Sequence, residues 1–340
     1  MMQNINCCPA TLANGHKKYS PKAIRELFGG IAVSPFLSFP SLASHRKEAD
    51  ILLEHRRISI SGAQEKYSLH LVGDQLLPTS TGGEYILKPI SQNIRNASQA
   101  PANEHLTMQI ARQLFGIQTA ACAMVFFEDQ QPAYLTKRFD YRPDGTKYRQ
   151  EDFAALANKT QETDGENYKY SFSYETIARL MRKFVIPYQV EVEKYYRLLL
   201  FNCLFSNGDA HLKNFSLIES DSGDFILSPA YDLLNTRLHG DNFTDLAAED
   251  GFFSDDFETE SYQANAFYAY DDFLEFGRRV GIVEKRVRKI ISDISAVKKE
   301  PKVKEMIDKS FLDSENKEVY YDLYQDKLKR FRYSFLRQII

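Results

Sequence analysis

Short β-rich runs fill the stretch from Ile58 to Ile90, chiefly Tyr67-Ser68-Leu69-His70-Leu71-Val72 and Glu84-Tyr85-Ile86-Leu87-Lys88. Gly73-Asp74 and Thr81-Gly82-Gly83 separate them as turn formers, which predicts an antiparallel sheet. The spacing then changes. Leu106, Ile110 and Leu114 recur at i, i+4 and i+8 between Pro101 and Gly116, so one amphipathic helix is expected, opened by the proline and closed by the glycine. Two more β-like runs follow, Ala121 to Glu128 and Ala133 to Phe139. Beyond a polar, Gly- and Asp-containing stretch over 140–172, the period is helical in Tyr174 to Phe184 and Gln189 to Phe205. Phe215 to Ile218 and Phe225 to Ser228 read as a small hairpin turning at Asp221 to Asp224, and 260–340 is helical by pattern and rich in Lys, Tyr and Phe. Residues 1–50 mix short helical patches with turns around Pro35, Pro40 and Ser41 and carry no evident chemistry. The expected division is a lead-in over 1–55, an α/β N-lobe over 56–140 and a mostly helical C-lobe over 141–340, an α+β fold.

Composition narrows this picture. A chain of 340 residues exceeds one ordinary core, and two lobes with a cleft between them suit a ligand held at the junction. Hydrophobic residues at 43% and charged residues at 26% are ordinary for a packed globular protein. The formal net charge of −3 supplies no basic field, so nucleic acid is not the default partner. Cys7, Cys8, Cys122 and Cys203 are scattered, as in a reduced cytoplasmic protein. Cys7 and Cys8 with His16 lack a second cysteine pair at zinc spacing. The N-terminus has neither a basic nor an apolar leader region, and no run approaches the roughly 18 apolar residues of a spanning helix, so a soluble protein without an export signal is expected.

The chemistry concentrates in Asn207-Gly208-Asp209-Ala210-His211-Leu212-Lys213-Asn214, after an apolar helix and before a short strand. An Asp followed five residues later by an Asn places a carboxylate near an attacking hydroxyl and an amide oxygen near a metal ion. Asp232 follows the second strand of the hairpin, where kinases carry their principal Mg²⁺ ligand, and Asn214 with Asp232 supplies the oxygen donors that Mg²⁺ prefers. Taken singly, Asp209 with Gly208 would make a turn, Asn214 a cap and Asp232 a helix start; the ordered set favours phosphoryl transfer. In the sheet half, Ser59-Ile60-Ser61-Gly62-Ala63-Gln64-Glu65-Lys66 stands at a strand entrance, where small residues let backbone N–H groups approach a polyphosphate. Lys88 ends an apolar strand, either as a phosphate-binding cation or as a solvated edge charge. Glu104, on the next helix, is its natural ion-pair partner, and a first-turn glutamate also suits the helix dipole. Lys137-Arg138-Phe139 ends the last strand before the helical half, where a hinge backbone could bond adenine. His211 is a weaker candidate for a general base, because a carboxylate suffices to orient a hydroxyl. Gln150-Glu151-Asp152 reads equally as a helix cap or as a wall of the cleft.

Together, Ser59 to Lys66, Ile86 to Pro89, Asn103-Glu104, Lys137 to Asp140, Gln150 to Asp152, Asn207 to Asn214 and Tyr231-Asp232 resemble the HipA family of serine/threonine toxin kinases, over about 55–240. The resemblance implies a protein-kinase-like fold using ATP and Mg²⁺. It implies a phosphate loop of Ser61, Gly62, Ala63, Gln64, Glu65 and Lys66, a phosphate-binding Lys88 and a hinge of Lys137, Arg138 and Phe139. Asp209 would be the catalytic base, His211, Lys213 and Asn214 would complete the nucleotide pocket with Tyr231, and Asp232 would bind Mg²⁺. Gly62 comes after about sixty residues, earlier than in full-length HipA, and Ser59-Ile60-Ser61 fits the S-x-S pair of the shorter HipT type. That type implies autophosphorylation at Ser59 and Ser61, a small HipS-like partner supplying an N-terminal subdomain, and a HipB-like helix-turn-helix antitoxin through which any DNA contact would be indirect. An aminoacyl-tRNA synthetase is the implied substrate class. A pseudokinase that only binds a partner, and a small-molecule kinase, are the alternatives; the intact Lys88, Asp209, Asn214 and Asp232 set weighs against the first and the Ser59–Ser61 pair against the second.

Overall fold

The computed structural model describes residues 5–41, 66–90, 94–240 and 245–335. Its first helix, α1 (Pro21–Phe28), is set by local signals: the Ser20 hydroxyl accepts from the Ala23 N–H, proline opens the helix, and Gly29 closes it at φ 61°. Strands β1 (Tyr67–Val72), β2 (Gln75–Pro78) and β3 (Tyr85–Lys88) lead to α2 (Ala100–Leu114), followed by β4 (Cys122–Phe126) and β5 (Pro132–Lys137). The five strands form an antiparallel sheet in the order β2-β1-β3-β5-β4. The predicted helix and the two later strands are therefore present, while β2 adds a strand that its short, half-exposed run did not advertise.

Both faces of this sheet are covered, and period two sorts the side chains between them. On one face Ala123, Val125, Ala133 and Leu135 meet Tyr19, Ala23, Leu27 and Phe28. On the other, Cys122, Met124, Phe126 and Tyr134 join the larger core shared with α2 and the helical half. Residues 5–41, part of what sequence presents as a lead-in, thus form the outer layer of the sheet; Tyr85 donates its hydroxyl to the Leu27 carbonyl at 2.7 Å, and Leu37 N–H bonds the Phe126 carbonyl at 2.7 Å. Because α2 lies between the sheet and the helical half, it is buried nearly all round, polar Asn103, Glu104, His105 and Thr107 included.

The helical half carries β6 (Gln150–Asp152), the short helices α3 (Phe153–Leu156) and α4 (Gln161–Asp164), and the long α5 (Tyr174–Phe184) and α6 (Tyr188–Leu204). The hairpin β7 (Ser216–Glu219) and β8 (Phe225–Leu227) follows, then α7 (Glu260–Asn265), α8 (Tyr270–Arg279), α9 (Glu284–Ile294), α10 (Glu300–Lys309) and α11 (Ser314–Arg332). The predicted hairpin gains β6 as a third strand, in the order β6-β7-β8. Aromatic packing knits the half together: Phe205 stacks on Tyr324 of α11 at 5.1 Å, and Phe273 on Phe331 at 4.3 Å. Tyr195 and Tyr196 on α6 are fully buried because each hydroxyl finds a carbonyl, Tyr174 and Phe273. Among the described residues no helix is long and apolar enough to cross a membrane. The two-lobed arrangement leaves the end of β3, the start of α2 and the α6–β7 connection facing one another.

Candidate functional site

Strand β3 pairs on both sides, with β1 and β5, so its last residue, Lys88, is carried inward rather than left at an edge. Its ammonium donates to Glu104 Oε1 at 2.7 Å and to Asp232 Oδ1 in a shorter contact. The edge-charge alternative fails here because Lys88 and Glu104 are both about 95% buried. Lys66 Nζ lies 3.8 Å from Asp232 Oδ2, so two cations face two carboxylates and the buried cluster is balanced. Burial would raise the Asp232 carboxyl, but Lys88 and Lys66 overcome it and hold the group down to about 2. Burial pushes the Glu104 carboxyl up to about 7 despite Lys88. The remainder of the proposed phosphate loop, Ser61, Gly62, Ala63, Gln64 and Glu65, and the proposed modification sites Ser59 and Ser61 lie outside the described residues.

The opposite wall is the loop after α6. Asn207 donates to Asn202 Oδ1 at 3.1 Å, Gly208 N–H bonds Thr236 Oγ1 at 3.0 Å, and Thr236 donates back to the Ser206 carbonyl at 2.9 Å. These bonds tie the loop carrying Asp209 to the segment carrying Asp232. Asp232 does not begin a helix: it sits in the left-handed region at φ 56°, a costly conformation for a non-glycine residue that tertiary contacts sustain. Asn214 ends a single 3₁₀ turn, Leu212–Asn214; its Oδ1 accepts the His211 N–H at 3.1 Å, and its Nδ2 lies 3.5 Å from Asp232 Oδ2. Asn214 thus caps locally and also reaches the carboxylate. Asn214 and Asp232 fit Mg²⁺ in donor type: both carry side-chain oxygens, and Asp232 keeps 27% of its side chain exposed, where phosphate and water would complete the shell that ion prefers.

Burial lowers the His211 imidazole to about 4, so at neutral pH it is uncharged, and its Nδ1 has no hydrogen-bond partner among the described residues. Lys213 Nζ is 3.7 Å from Asp152 Oδ2, and the other Asp152 oxygen caps α3 by accepting the Ala155 N–H at 2.9 Å. The cap reading of Gln150-Glu151-Asp152 holds at Asp152, and Gln150 bonds Ser216 Oγ at 2.9 Å across the β6–β7 pair. Tyr231 donates to the Lys213 carbonyl at 2.9 Å and packs on Phe139 at 5.8 Å. At the proposed hinge, Lys137 N–H is taken by the Ala121 carbonyl and Arg138 N–H by Glu84, each at 2.8 Å. The Arg138 guanidinium is engaged by both Asp140 oxygens at 2.9 and 2.6 Å. Of these three residues, only Phe139 keeps its N–H outside those bonds.

Two further side chains tie these walls together, Asn103, which the sequence offered only as the neighbour of Glu104, and Tyr170, which carried no signal. Asn103, one turn position before Glu104, donates to the Asn235 carbonyl at 2.8 Å and accepts the Asn235 N–H at 3.0 Å, and it meets His239 Nε2 at 2.9 Å. It therefore latches α2 to the stretch after Asp232. Tyr170, from the polar, Gly- and Asp-containing stretch over 140–172, donates its hydroxyl to Asp209 Oδ1 at 2.7 Å.

Residues 58–300 match the family described as the HipA-like C-terminal domain, well over half of the chain. The chain belongs to that family. A candidate kinase of Haemophilus influenzae is 27% identical to this HipA-like chain over 288 residues, spanning 80% of this chain and 81% of that protein. The candidate kinase Y4dM of Sinorhizobium fredii is 34% identical over 197 residues, which are 53% of this chain but only 45% of that protein. Among solved structures, the Shewanella oneidensis toxin–antitoxin complex of HipA, HipB and operator DNA matches at a TM-score of 0.59 and 21% identity, over 82% of this chain and 65% of the matched chain. That likeness shows a kinase-like fold of the HipA kind.

Proposed function

We propose that this HipA-like chain is an ATP- and Mg²⁺-dependent serine/threonine protein kinase. The observation that carries the reading is Lys88 joined at once to Glu104 and Asp232, on the opposite wall from Asp209 and Asn214. A buried lysine fixed by a helix glutamate is what phosphoryl transfer needs to hold polyphosphate, and the chemistry itself asks mainly for positioning and charge. Asp209 would orient the acceptor hydroxyl and take its proton. Asn214 and Asp232 would hold Mg²⁺, which when bound neutralises charge on the phosphates. Lys66, Tyr231, Lys213 and the neutral His211 would line the nucleotide pocket, with Phe139 offering its backbone at the adenine end.

The finer reading is a toxin of a type II toxin–antitoxin system of the HipT type, for which the support is Ser59-Ile60-Ser61 beside the Gly62-Ala63-Gln64-Glu65-Lys66 segment. Phosphate on Ser59 or Ser61 adds about −1.5 to −2 charge next to the ATP phosphates and so would silence the site. A HipB-like antitoxin, a small HipS-like protein and an aminoacyl-tRNA synthetase substrate belong to the same proposal; the matched HipA was solved with HipB and operator DNA.

Intact-mass spectrometry after Mg-ATP incubation tests the reading. The wild type should gain one or two phosphates, Asp209→Asn should lose at least about 100-fold in rate, and the Ser59→Ala/Ser61→Ala variant should gain none. Retained phosphorylation in Asp209→Asn would remove Asp209 from its role. A wild type that binds ATP but neither gains phosphate nor modifies any protein would point to a pseudokinase, or, with turnover of a small alcohol, to a small-molecule kinase.

A further inference from the structure

The stretch between the sheet half and α5 looks like a connector in sequence, yet its end is held from three directions. Lys169 offers its carbonyl to Leu212 N–H at 3.1 Å, Tyr170 offers its own to Glu249 N–H at 2.9 Å, and Tyr170 N–H bonds the Asn167 carbonyl at 2.8 Å. The phenol ring cannot swing freely between these anchors. Its edge meets the His211 imidazole at 5.2 Å and 76°, and Lys169 Nζ stands 4.9 Å over its face. The hydroxyl ends on Asp209 Oδ1 at 2.7 Å. Burial and the facing carboxylate push the Tyr170 phenol well above its ordinary value, so it is a permanent donor at neutral pH.

We propose that Tyr170 is a positioning residue for Asp209: by occupying Oδ1 it fixes the plane of the carboxylate and leaves Oδ2 as the atom that receives the acceptor hydroxyl. The proposal rests on the phosphotransfer reading above. A carboxylate free to rotate offers either oxygen in many orientations, whereas one locked by a donor presents a single lone-pair direction to the incoming O–H. The neighbouring His211, uncharged and in edge contact with the ring, supplies a wall rather than a proton.

The test is Tyr170→Phe, which keeps the ring packed on His211 and deletes only the donor. Steady-state phosphorylation should show kcat lowered about tenfold with KM for ATP within about twofold. Because a defective kinase reading would also silence these rates, the orientation of the Asp209 carboxylate is read from crystal structures of the wild type and Tyr170→Phe, which need no activity. The proposal expects Asp209 Oδ1 on the Tyr170 hydroxyl in the wild type and a rotated or multiply oriented carboxylate in Tyr170→Phe. An unchanged Asp209 orientation, or a wild-type kcat in Tyr170→Phe, overturns it. A released carboxylate in a chain that transfers no phosphate would uphold the contact and sink the kinase reading instead.

Discussion

Replacing Lys88 by Met removes the positive charge that Glu104 and Asp232 share, and the two carboxylates should respond differently. Asp232 keeps 27% of its side chain exposed and can take up water, whereas Glu104 keeps 6% and cannot. Breaking a buried pair by deleting one partner costs about 3–5 kcal/mol, most of it the penalty of the charge left behind. Glu104 has a partial escape, since its carboxyl is already pushed up to about 7 and can take a proton instead of staying ionised. We therefore expect Lys88→Met to lose about 3 kcal/mol near pH 8 and about 1.5 kcal/mol near pH 6, because the variant keeps the Glu104 proton through the one pH unit in which the wild type sheds it. The sign follows from linkage: a carboxyl raised in the folded state penalises folding above its folded value and relaxes as pH falls below it. Adding Glu104→Gln to Lys88→Met removes the stranded charge and should recover about 2 kcal/mol of the loss near pH 8. Urea unfolding of the wild type, both single variants and the double variant at the two pH values gives the cycle. If Lys88→Met and the double variant lose the same amount at both pH values, then Lys88 stabilises through its buried stem rather than through its charge, and the electrostatic account is refuted.

Asp232→Asn should flatten acid unfolding: a carboxyl held at about 2 contributes stability that is present above its ordinary value and lost as pH falls through about 2, worth about 2 kcal/mol, so the wild type should lose that much more than the variant between about pH 5 and pH 2 in chemical denaturation. Gly277→Ala should cost about 1–3 kcal/mol in thermal or urea unfolding, because a Cβ there would meet Val287 carbons at 2.6 and 2.8 Å where α8 packs on α9, and Gly277→Ala with Val287→Ala should recover part of it.

How the chain folds around its site was partly written in its local patterns. The alternation in β1 and β3, the i, i+4, i+8 series in α2 and the helical period of α5 and α6 each depend on near neighbours, and each element forms where that pattern predicts it. The two short strands β2 and β6 escaped because three or four residues carry too little periodicity, and β6 exists only because β7 lies beside it. The outer layer from residues 5–41 escaped for a related reason: its apolar residues are irregularly spaced and acquire meaning only against the sheet face they cover.

The site divides along the same line. Lys88, Glu104, Asp209, Asn214 and Asp232 could be picked out by residue type, order and spacing, since chemistry constrains which side chains stand at a strand end or in a loop. That Lys88 would pair with Glu104, 16 positions on, was expected from residue order; that it would also bridge to Asp232, 144 positions away, was decided by the packing of α2 between sheet and helices. The latch made by Asn103 and any role for Tyr170 were invisible because an asparagine in a helix and a tyrosine in a polar stretch have many uses; their partners, Asn235 and Asp209, lie 132 and 39 positions away. Sequence by itself determined the elements and the set of reactive groups, because both are written in near neighbours and residue chemistry. Tertiary structure alone decided which oxygen meets which donor, because burial removes water as the competing partner and leaves each polar group with the one neighbour the fold supplies.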